Sequence, residues 1–270
     1  MRAADATGAM EAPRIFEPEY YKRMRELESG SWWNAGMREV AASLLRVADL
    51  PQRGLLLDVG CGSGQTMGWF AREHPQWRHV GLDVAVEGLI AAHHLGITTV
   101  THASALQLPI GSETVDLVIT LDVLQHLPLD GGDHRALSEI HRVLRPGGYV
   151  FIRTNAQSYP HVADDHTFEF HKYRTAELRD KLAQAGLRVI RLGRLNALLG
   201  LAEIPRELRA RRDHPERSYH GILAQPRSER RWSANVKRAW LQLEGQAVRR
   251  GADLPLGRTI VALCRKRAGH

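Results

Sequence analysis

Cysteine is scarce in this chain: Cys61 and Cys264 are the only two in 270 residues. Two thiols cannot form the framework of a disulfide-rich secreted domain, so that class is excluded and a reducing, cytoplasmic setting is expected. Long apolar runs are also lacking. The longest, around 195–204, contains Gly200 and Glu203 and falls short of the roughly 20 residues that a membrane-spanning helix needs. We therefore expect no membrane partner.

Acidic residues are outnumbered, with 30 Asp and Glu against 37 Lys and Arg, which gives a formal net charge of +7. A basic balance of this size suits a nucleic-acid partner. It is more typical of an arginine-rich protein with a basic surface, and we favour that interpretation, so a nucleic-acid partner is not expected. The hydrophobic share of 43% and the charged share of 25% are those of an ordinary globular domain.

Short apolar runs alternate with amphipathic segments from about residue 51 onward. The predicted strands are 55–59, 79–82, 97–100, 115–121, 149–152, 188–192 and 260–263. The predicted helices are 20–48, 67–72, 89–93, 133–145 with Asp133 as N-cap, and 175–186 with Thr175 as cap. Such alternation predicts an α/β fold in which helices cover both faces of a parallel sheet.

A glycine-rich turn follows the first predicted strand, in the run Asp58-Val59-Gly60-Cys61-Gly62-Ser63-Gly64. Glycines at the carboxyl end of a buried strand let a flat ligand approach the backbone. The spacing does not fit the G-x-G-x-x-G dinucleotide fingerprint, which disfavours a dehydrogenase. Asp83 ends the next predicted strand, where a carboxylate can accept two hydrogen bonds from a ribose diol.

Four motifs resemble, in order and separation, those of class I S-adenosylmethionine-dependent methyltransferases of the small-molecule type. They are DVGCGSG at 58–64, GLDV at 81–84, VDLVITLDVLQHL at 115–127 and EIHRVLRPGGYVFI at 139–152. The resemblance covers about 55–192 and the final strand. It implies a Rossmann-like, doubly wound, seven-stranded, mostly parallel sheet with an antiparallel last strand. It also implies S-adenosyl-L-methionine as cofactor and a small or medium-sized acceptor, methylated on oxygen, nitrogen or carbon.

The resemblance assigns cofactor binding to a set of residues at the ends of the predicted strands. They are Asp58, Gly60, Gly62, Gly64, Asp83, Val84, Ser104, Ala105, Leu106, Thr120 and Leu121. The glycines would line the methionine and ribose, Asp83 would hold the ribose hydroxyls, and Val84 would contact the adenine. Ser104 replaces the acid that the family usually places beside the adenine amino group.

The acceptor residues implied by the resemblance follow the fourth and fifth predicted strands. His126 and His171 are candidate general bases, since histidine suits proton transfer near neutral pH. Tyr173 and Asn155 are candidate substrate contacts. Trp33, in the N-terminal helical region and outside the resemblance, is a further candidate contact that could close the pocket as an aromatic wall, although we favour its packing of the N-terminal helix on the core.

No metal is expected in the site. Asp122 and Asn155 stand where metal-dependent O-methyltransferases place oxygen ligands, but the sequence offers no evident third ligand.

Four segments are predicted along the chain. Residues 1–50 form a helical extension or cap, 51–195 the cofactor-binding core, 196–256 an arginine-rich helical insertion and candidate lid, and 257–270 the last core strand. Two other functions stay open, namely an RNA methyltransferase that uses the basic insertion and a noncatalytic partner protein with the same fold. Self-association as a homodimer also stays open.

Overall fold

The computed structural model describes residues 31–157, 171–197, 231–254 and 256–267. The helices are α1 Trp32–Leu45, α2 Gln65–Glu73, α3 Val86–His94, α4 Gly132–Val143, α5 Thr175–Gln184 and α6 Arg231–Arg249. The strands are β1 Leu55–Val59, β2 Arg78–Asp83, β3 Val100–His102, β4 Val115–Leu121, β5 Leu144–Asn155, β6 Leu187–Leu195 and β7 Thr259–Lys266. A 3-10 turn, Leu124–His126, follows β4.

The seven strands form one sheet in the order β3-β2-β1-β4-β5-β7-β6. Strands β1 to β5 run parallel, while β7 is antiparallel to both β5 and β6. The predicted doubly wound sheet with an antiparallel last strand is thereby confirmed. The strand order reverses between β1 and β4, and ligands of such sheets bind at the carboxyl ends of the strands at this point.

Helices bury both faces of the sheet, which explains the continuous apolar runs of the central strands. One face is covered by α4 and α5, with Leu137 and Leu182 fully buried. The other is covered by α1, α2 and α6. Helices α1 and α6 approach closely because a glycine on each of them carries no side chain. A Cβ on Gly36 would lie 2.8 Å from Leu241 Cδ2, and a Cβ on Gly245 would lie 2.8 Å from Val40 Cγ2.

The third strand lies at 100–102 and not at the predicted 97–100. The apolar residue that suggested the earlier position, Ile97, packs against the cluster of Cys61, Met67 and Leu89 beneath the glycine turn. Because β3 is a short edge strand with two exposed residues, it carries little apolar signal of its own.

Helix α4 begins and ends earlier than predicted. Its N-cap is Gly131, with φ 94°, while Asp133 lies within the first turn and accepts hydrogen bonds from elsewhere in the fold. It ends at Val143, and β5 starts at once. Residues 145–148 bulge out of the ladder, since the register passes from Val115–Leu144 to Leu117–Tyr149.

Helix α5 also has a different cap from the predicted one. Arg174 is the N-cap, and Thr175 is the first helical residue. The hydroxyl of Thr175 instead accepts a hydrogen bond from Arg194 Nε at 2.9 Å.

Parts of the predicted terminal and inserted segments lie outside the described residues, namely 1–30, 198–230, 255 and 268–270. The described part of the predicted insertion contains α6, which packs on α1 and β6. The boundaries of the four predicted segments stay predictions, as does the lid.

Candidate functional site

A cavity of about 430 Å³ opens at the carboxyl ends of β1, β2 and β4, where the strand order reverses. Its floor is the glycine turn after β1, and one wall is the segment 103–106 that follows β3. Helix α1 contributes Asn34, Met37, Arg38 and Ala41 to the lining. The volume lies within the range of pockets for small ligands.

The carboxylate of Asp83 is fixed against the glycine turn by two backbone N–H groups. Gly62 N donates to Asp83 Oδ2 at 2.8 Å, and Ala85 N donates to Asp83 Oδ1 at 2.8 Å. The turn is tied to β2 as well, because Gly60 N donates to Leu82 O at 2.8 Å. Each carboxylate oxygen keeps a second lone pair for a ligand.

Each of the three turn glycines has a positive φ, but the surroundings of a side chain added there differ from one to the next. A Cβ on Gly60 would lie 2.2 Å from Val123 Cγ2, and one on Gly64 would lie 2.7 Å from Ile97 Cδ1. These two glycines are required by packing. Around Gly62 (φ +51°), no atom of the described residues lies within 4 Å of an added Cβ. Its missing side chain therefore leaves space in the cavity itself.

Asp58 and Thr120 lie beneath the turn and do not line the cavity. Both are about 1% exposed, and within the described residues neither Asp58 Oδ2 nor Thr120 Oγ1 has a hydrogen-bond partner. Burial, with the nearby charge of Asp83, raises the pKa of Asp58 to about 7. Of the glycines, Gly64 also stays outside the lining, as the N-cap of α2.

The structure brings the other predicted adenosine contacts together at one end of the cavity. Val84, Ser104, Ala105 and Leu106 line it beside Asp83. The Ser104 hydroxyl accepts a hydrogen bond from Leu106 N at 3.2 Å, so this side chain shapes the turn after β3.

The opposite end, which we call the transfer end, is defined by Leu121, Asp122, His126, Arg153 and the α1 residues of the lining. Trp69 and Phe151 add aromatic surface to the same lining. Asp122 forms an ion pair with Arg153. Sequence reasoning considered Asp122 only as a metal ligand and missed Arg153, Arg38, Met37 and Trp69.

His126 lies on the 3-10 turn after β4 and faces the cavity. Burial lowers the pKa of its imidazole to about 4, against the opposing charge of Asp122. The ring is therefore neutral near pH 7, and its Nε2 lies 3.4 Å from Gln125 Nε2.

His171 and Tyr173 lie outside the cavity lining and stabilise the turn that carries His126. His171 Nε2 contacts Glu177 Oε1 at 2.6 Å, and its backbone N–H donates to Gln125 O at 3.0 Å. The Tyr173 hydroxyl is buried, 3.2 Å from Leu124 O. Burial, with the neighbouring charge of Asp133, raises the pKa of the Tyr173 phenol.

Asn155 and Trp33 also lie outside the lining. The backbone N–H of Asn155 donates to Gln125 Oε1 at 2.9 Å. Trp33 packs with the apolar cluster under α1, edge-on to Trp32 with ring centroids 5.9 Å apart. This is the packing alternative that the sequence left open. Sequence reasoning missed Gln125, whose amide links β5 to the turn.

Among the described residues, no group of three or more His, Cys, Asp or Glu side chains is arranged to hold a metal ion. The described part of the chain also contains no helix with the length and apolarity to span a membrane.

Residues 57–152 match the family model described as "Methyltransferase domain". The chain is 33% identical over 103 residues to tRNA (carboxymethyluridine(34)-5-O)-methyltransferase of Arabidopsis thaliana, covering 38% of this chain and 24% of that protein. It is 30% identical over 164 residues to malonyl-[acyl-carrier protein] O-methyltransferase of Marinomonas sp., covering 56% of this chain and 59% of that protein. The chain thus spans between 24% and 59% of the length of these curated relatives.

Among solved structures, phosphoethanolamine N-methyltransferase 2 of Haemonchus contortus in complex with S-adenosyl-L-methionine is similar in fold. The TM-score is 0.61 at 16% identity, over 93% of this chain and 57% of that one. At this level of identity the likeness is one of fold. Residues 57–152 thus match a methyltransferase domain, and the chain shares its fold with a methyltransferase solved in complex with S-adenosyl-L-methionine.

Proposed function

We propose that this chain transfers a methyl group from S-adenosyl-L-methionine to a small or medium-sized acceptor. The observation that carries the proposal is the pairing of Asp83 with Gly62. A carboxylate held by backbone N–H groups faces the same cavity as a glycine whose missing side chain leaves open space. A ribose diol and a thin, flexible chain are the ligand parts that such a pair accommodates.

The residues present fit the cofactor along the whole lining. Asp83 would accept hydrogen bonds from the ribose hydroxyls, while Val84 and the segment 104–106 would flank the adenine. The backbone of Gly60 and Gly62 would lie along the methionine part, with Leu121 at its far side. Asp58 and Thr120 lie buried below the turn, each with a side-chain oxygen that has no partner among the described residues. When bound, the cofactor supplies an electrophilic methyl group on a sulfonium sulfur.

The transfer end supports a small acceptor. Helix α1 contributes to the lining at this end of the cavity, and the partly buried Trp69 adds an apolar side chain beside the almost fully buried Met37 and Phe151. Methyl transfer is mainly a positioning task, in which nucleophile and methyl carbon are held about 3–3.5 Å apart and in line. His126 faces the cavity with a neutral imidazole, but a pKa of about 4 makes this ring a weak base, so its position favours a contact with the acceptor over the role of general base.

The proposal is tested by calorimetric binding of S-adenosylhomocysteine to two glycine variants. Gly62→Ala places a methyl group in the cavity, so affinity should fall by at least tenfold. Gly96→Ala is the matched control: its φ is +78°, and no described atom lies within 4 Å of its added Cβ, but it does not line the cavity. Equal affinity of wild type and Gly62→Ala would contradict the proposal. A wild-type chain that does not bind would favour the noncatalytic partner protein.

An RNA acceptor is the second candidate. The net charge of +7 and the similarity to a tRNA methyltransferase favour it. Phosphate contacts make RNA binding strongly salt-dependent. A gel shift with bulk tRNA that weakens steeply between low and physiological salt would support this candidate, and no binding at low salt would exclude it.

A further inference from the structure

Among the described residues, an ion pair at the transfer end of the cavity leaves one carboxylate oxygen without a donor. Arg153 Nε donates to Asp122 Oδ2 at 3.0 Å, and Arg153 Nη2 donates to the same oxygen. Within the described residues, no donor reaches Asp122 Oδ1. Both residues line the cavity, and the Asp122 side chain is about one-third exposed. The unused oxygen therefore belongs to a carboxylate that a ligand can reach.

The backbone holds Asp122 in an unusual conformation. Its φ is 59°, one of three positive values among the described non-glycine residues. Aspartate tolerates this region better than most residues, but the conformation still costs on the order of 1 kcal/mol. The backbone N–H of Asp122 donates to Arg153 O at 2.9 Å. The side chain and the backbone of Asp122 are thus both anchored to Arg153, which fixes the direction of the carboxylate.

Arg153 is placed by the sheet, not by a loop. It pairs in register with Leu121 of β4 and with Val261 of β7, and its side chain is only 12% exposed. An ion pair this buried contributes little net stability, because desolvation offsets the attraction between the charges. Strain at Asp122 and burial of Arg153 at the same point of the cavity are better explained by ligand recognition than by stability.

We propose that Asp122 Oδ1 accepts a hydrogen bond from the O–H or N–H group of the acceptor, with Arg153 as the positioning residue for this carboxylate. This inference rests on the proposed function and extends it. It makes Asp122 a specificity determinant for acceptors that carry a hydroxyl or an amine. A carbon nucleophile has no such donor and gains nothing from the carboxylate.

Two cofactor analogues test this placement without knowledge of the acceptor. Sinefungin carries an amine where S-adenosyl-L-methionine carries its transferable methyl, whereas S-adenosylhomocysteine carries nothing there. Calorimetry on the full chain should show that the wild type binds sinefungin about tenfold or more tightly than S-adenosylhomocysteine, as a charged hydrogen bond would provide. Asp122→Asn should lose most of this preference and keep its affinity for S-adenosylhomocysteine.

Asp116→Asn is the matched control. Asp116 also lies on β4 and pairs with an arginine, Arg145 Nη1 at 3.0 Å, but it lies at the other end of the strand and outside the cavity lining. This variant loses an ion pair of the same kind and should keep the full preference for sinefungin. If Asp122→Asn does not fold, Asp122→Gly removes the carboxylate while suiting the positive φ.

Three results would overturn the inference. They are a wild type with no preference for sinefungin, an Asp122→Asn variant that keeps the preference, and a loss of equal size in Asp116→Asn. A wild-type chain that binds neither analogue has a different meaning, because it overturns the proposed function and this inference together.

Discussion

Tyr173 and Asp133 are joined by a buried hydrogen bond between the tyrosine hydroxyl and Asp133 Oδ2, at 3.0 Å. Lys181 Nζ lies 2.9 Å from the same oxygen. This contact ties the segment before α5 to the first turn of α4, and through Leu124 O to the turn that carries His126. The tyrosine that sequence reasoning placed against the substrate is thus part of the support beneath the cavity wall.

Tyr173→Phe should lower the free energy of unfolding by about 1–3 kcal/mol, because the buried Asp133 carboxylate and Leu124 carbonyl lose a donor. Urea unfolding measures this loss. The affinity for S-adenosylhomocysteine should change little, since Tyr173 does not line the cavity. A large loss of affinity for S-adenosylhomocysteine, with an unchanged free energy of unfolding, would show that Tyr173 belongs to the binding site.

Asp58→Asn should stabilise the unliganded chain at alkaline pH. The pKa of Asp58 is raised from 3.8 to about 7 in the folded state, so the folded chain holds a proton that the unfolded chain releases. The proton held on Asp58 favours the folded chain at acidic pH, and this stabilisation is lost as the pH rises from about 4 to about 7. Above pH 7 the variant, which avoids the buried charge, should be more stable by on the order of 2–4 kcal/mol.

Urea unfolding of wild type and Asp58→Asn at pH 5 and pH 8 checks this sign. The advantage of the variant should be larger at pH 8. An advantage that is equal at both pH values, or larger at pH 5, would show that Asp58 is not a buried, unpaired carboxylate.

His126 should titrate well below the ordinary pKa of a histidine, 6.5. Because burial lowers its pKa to about 4, the unfolded chain binds a proton at pH 5 that the folded chain does not. The contribution of His126 to stability is therefore complete above about pH 6.5 and is lost as the pH falls towards 4. Proton NMR of the imidazole signals, with His126→Gln to assign the resonance, measures the midpoint. A midpoint near 6.5 would show an exposed ring.

Gly36→Ala should destabilise the chain by about 1–3 kcal/mol, because its Cβ would lie 2.8 Å from Leu241 Cδ2 in the contact between α1 and α6. Gly68→Ala is the matched control within a helix, since its Cβ would meet nothing among the described residues closer than 3.6 Å. That variant should be neutral or stabilising by about 0.5–1 kcal/mol. Thermal unfolding separates the two. Equal behaviour would mean that α6 does not pack on α1.

Sequence patterns predicted the core strands well where burial on both faces forces a continuous apolar run. The bounds of β1 and β4 agree with the prediction for this reason. The same rule misplaced β3, because an exposed edge strand carries no such run and the neighbouring Ile97 belongs to another cluster.

The cavity end beside Asp83 was predictable because its residues, 83–84 and 104–106, closely follow two neighbouring strands, β2 and β3. The transfer end was not. Asp122 and Arg153 meet only through the register of β4 with β5, which pairs Leu121 with Arg153. An aromatic residue after a strand, such as Tyr173, looks the same in sequence whether it faces a ligand or the core.

The most direct test of the central claim is a crystal structure of the chain with S-adenosylhomocysteine. The account predicts the ribose hydroxyls within hydrogen-bond distance of the Asp83 carboxylate, and the backbone of Gly62 against the ligand. A structure in which the compound binds away from the turn at 60–64, with Asp83 making only its contacts to Gly62 and Ala85, would contradict it.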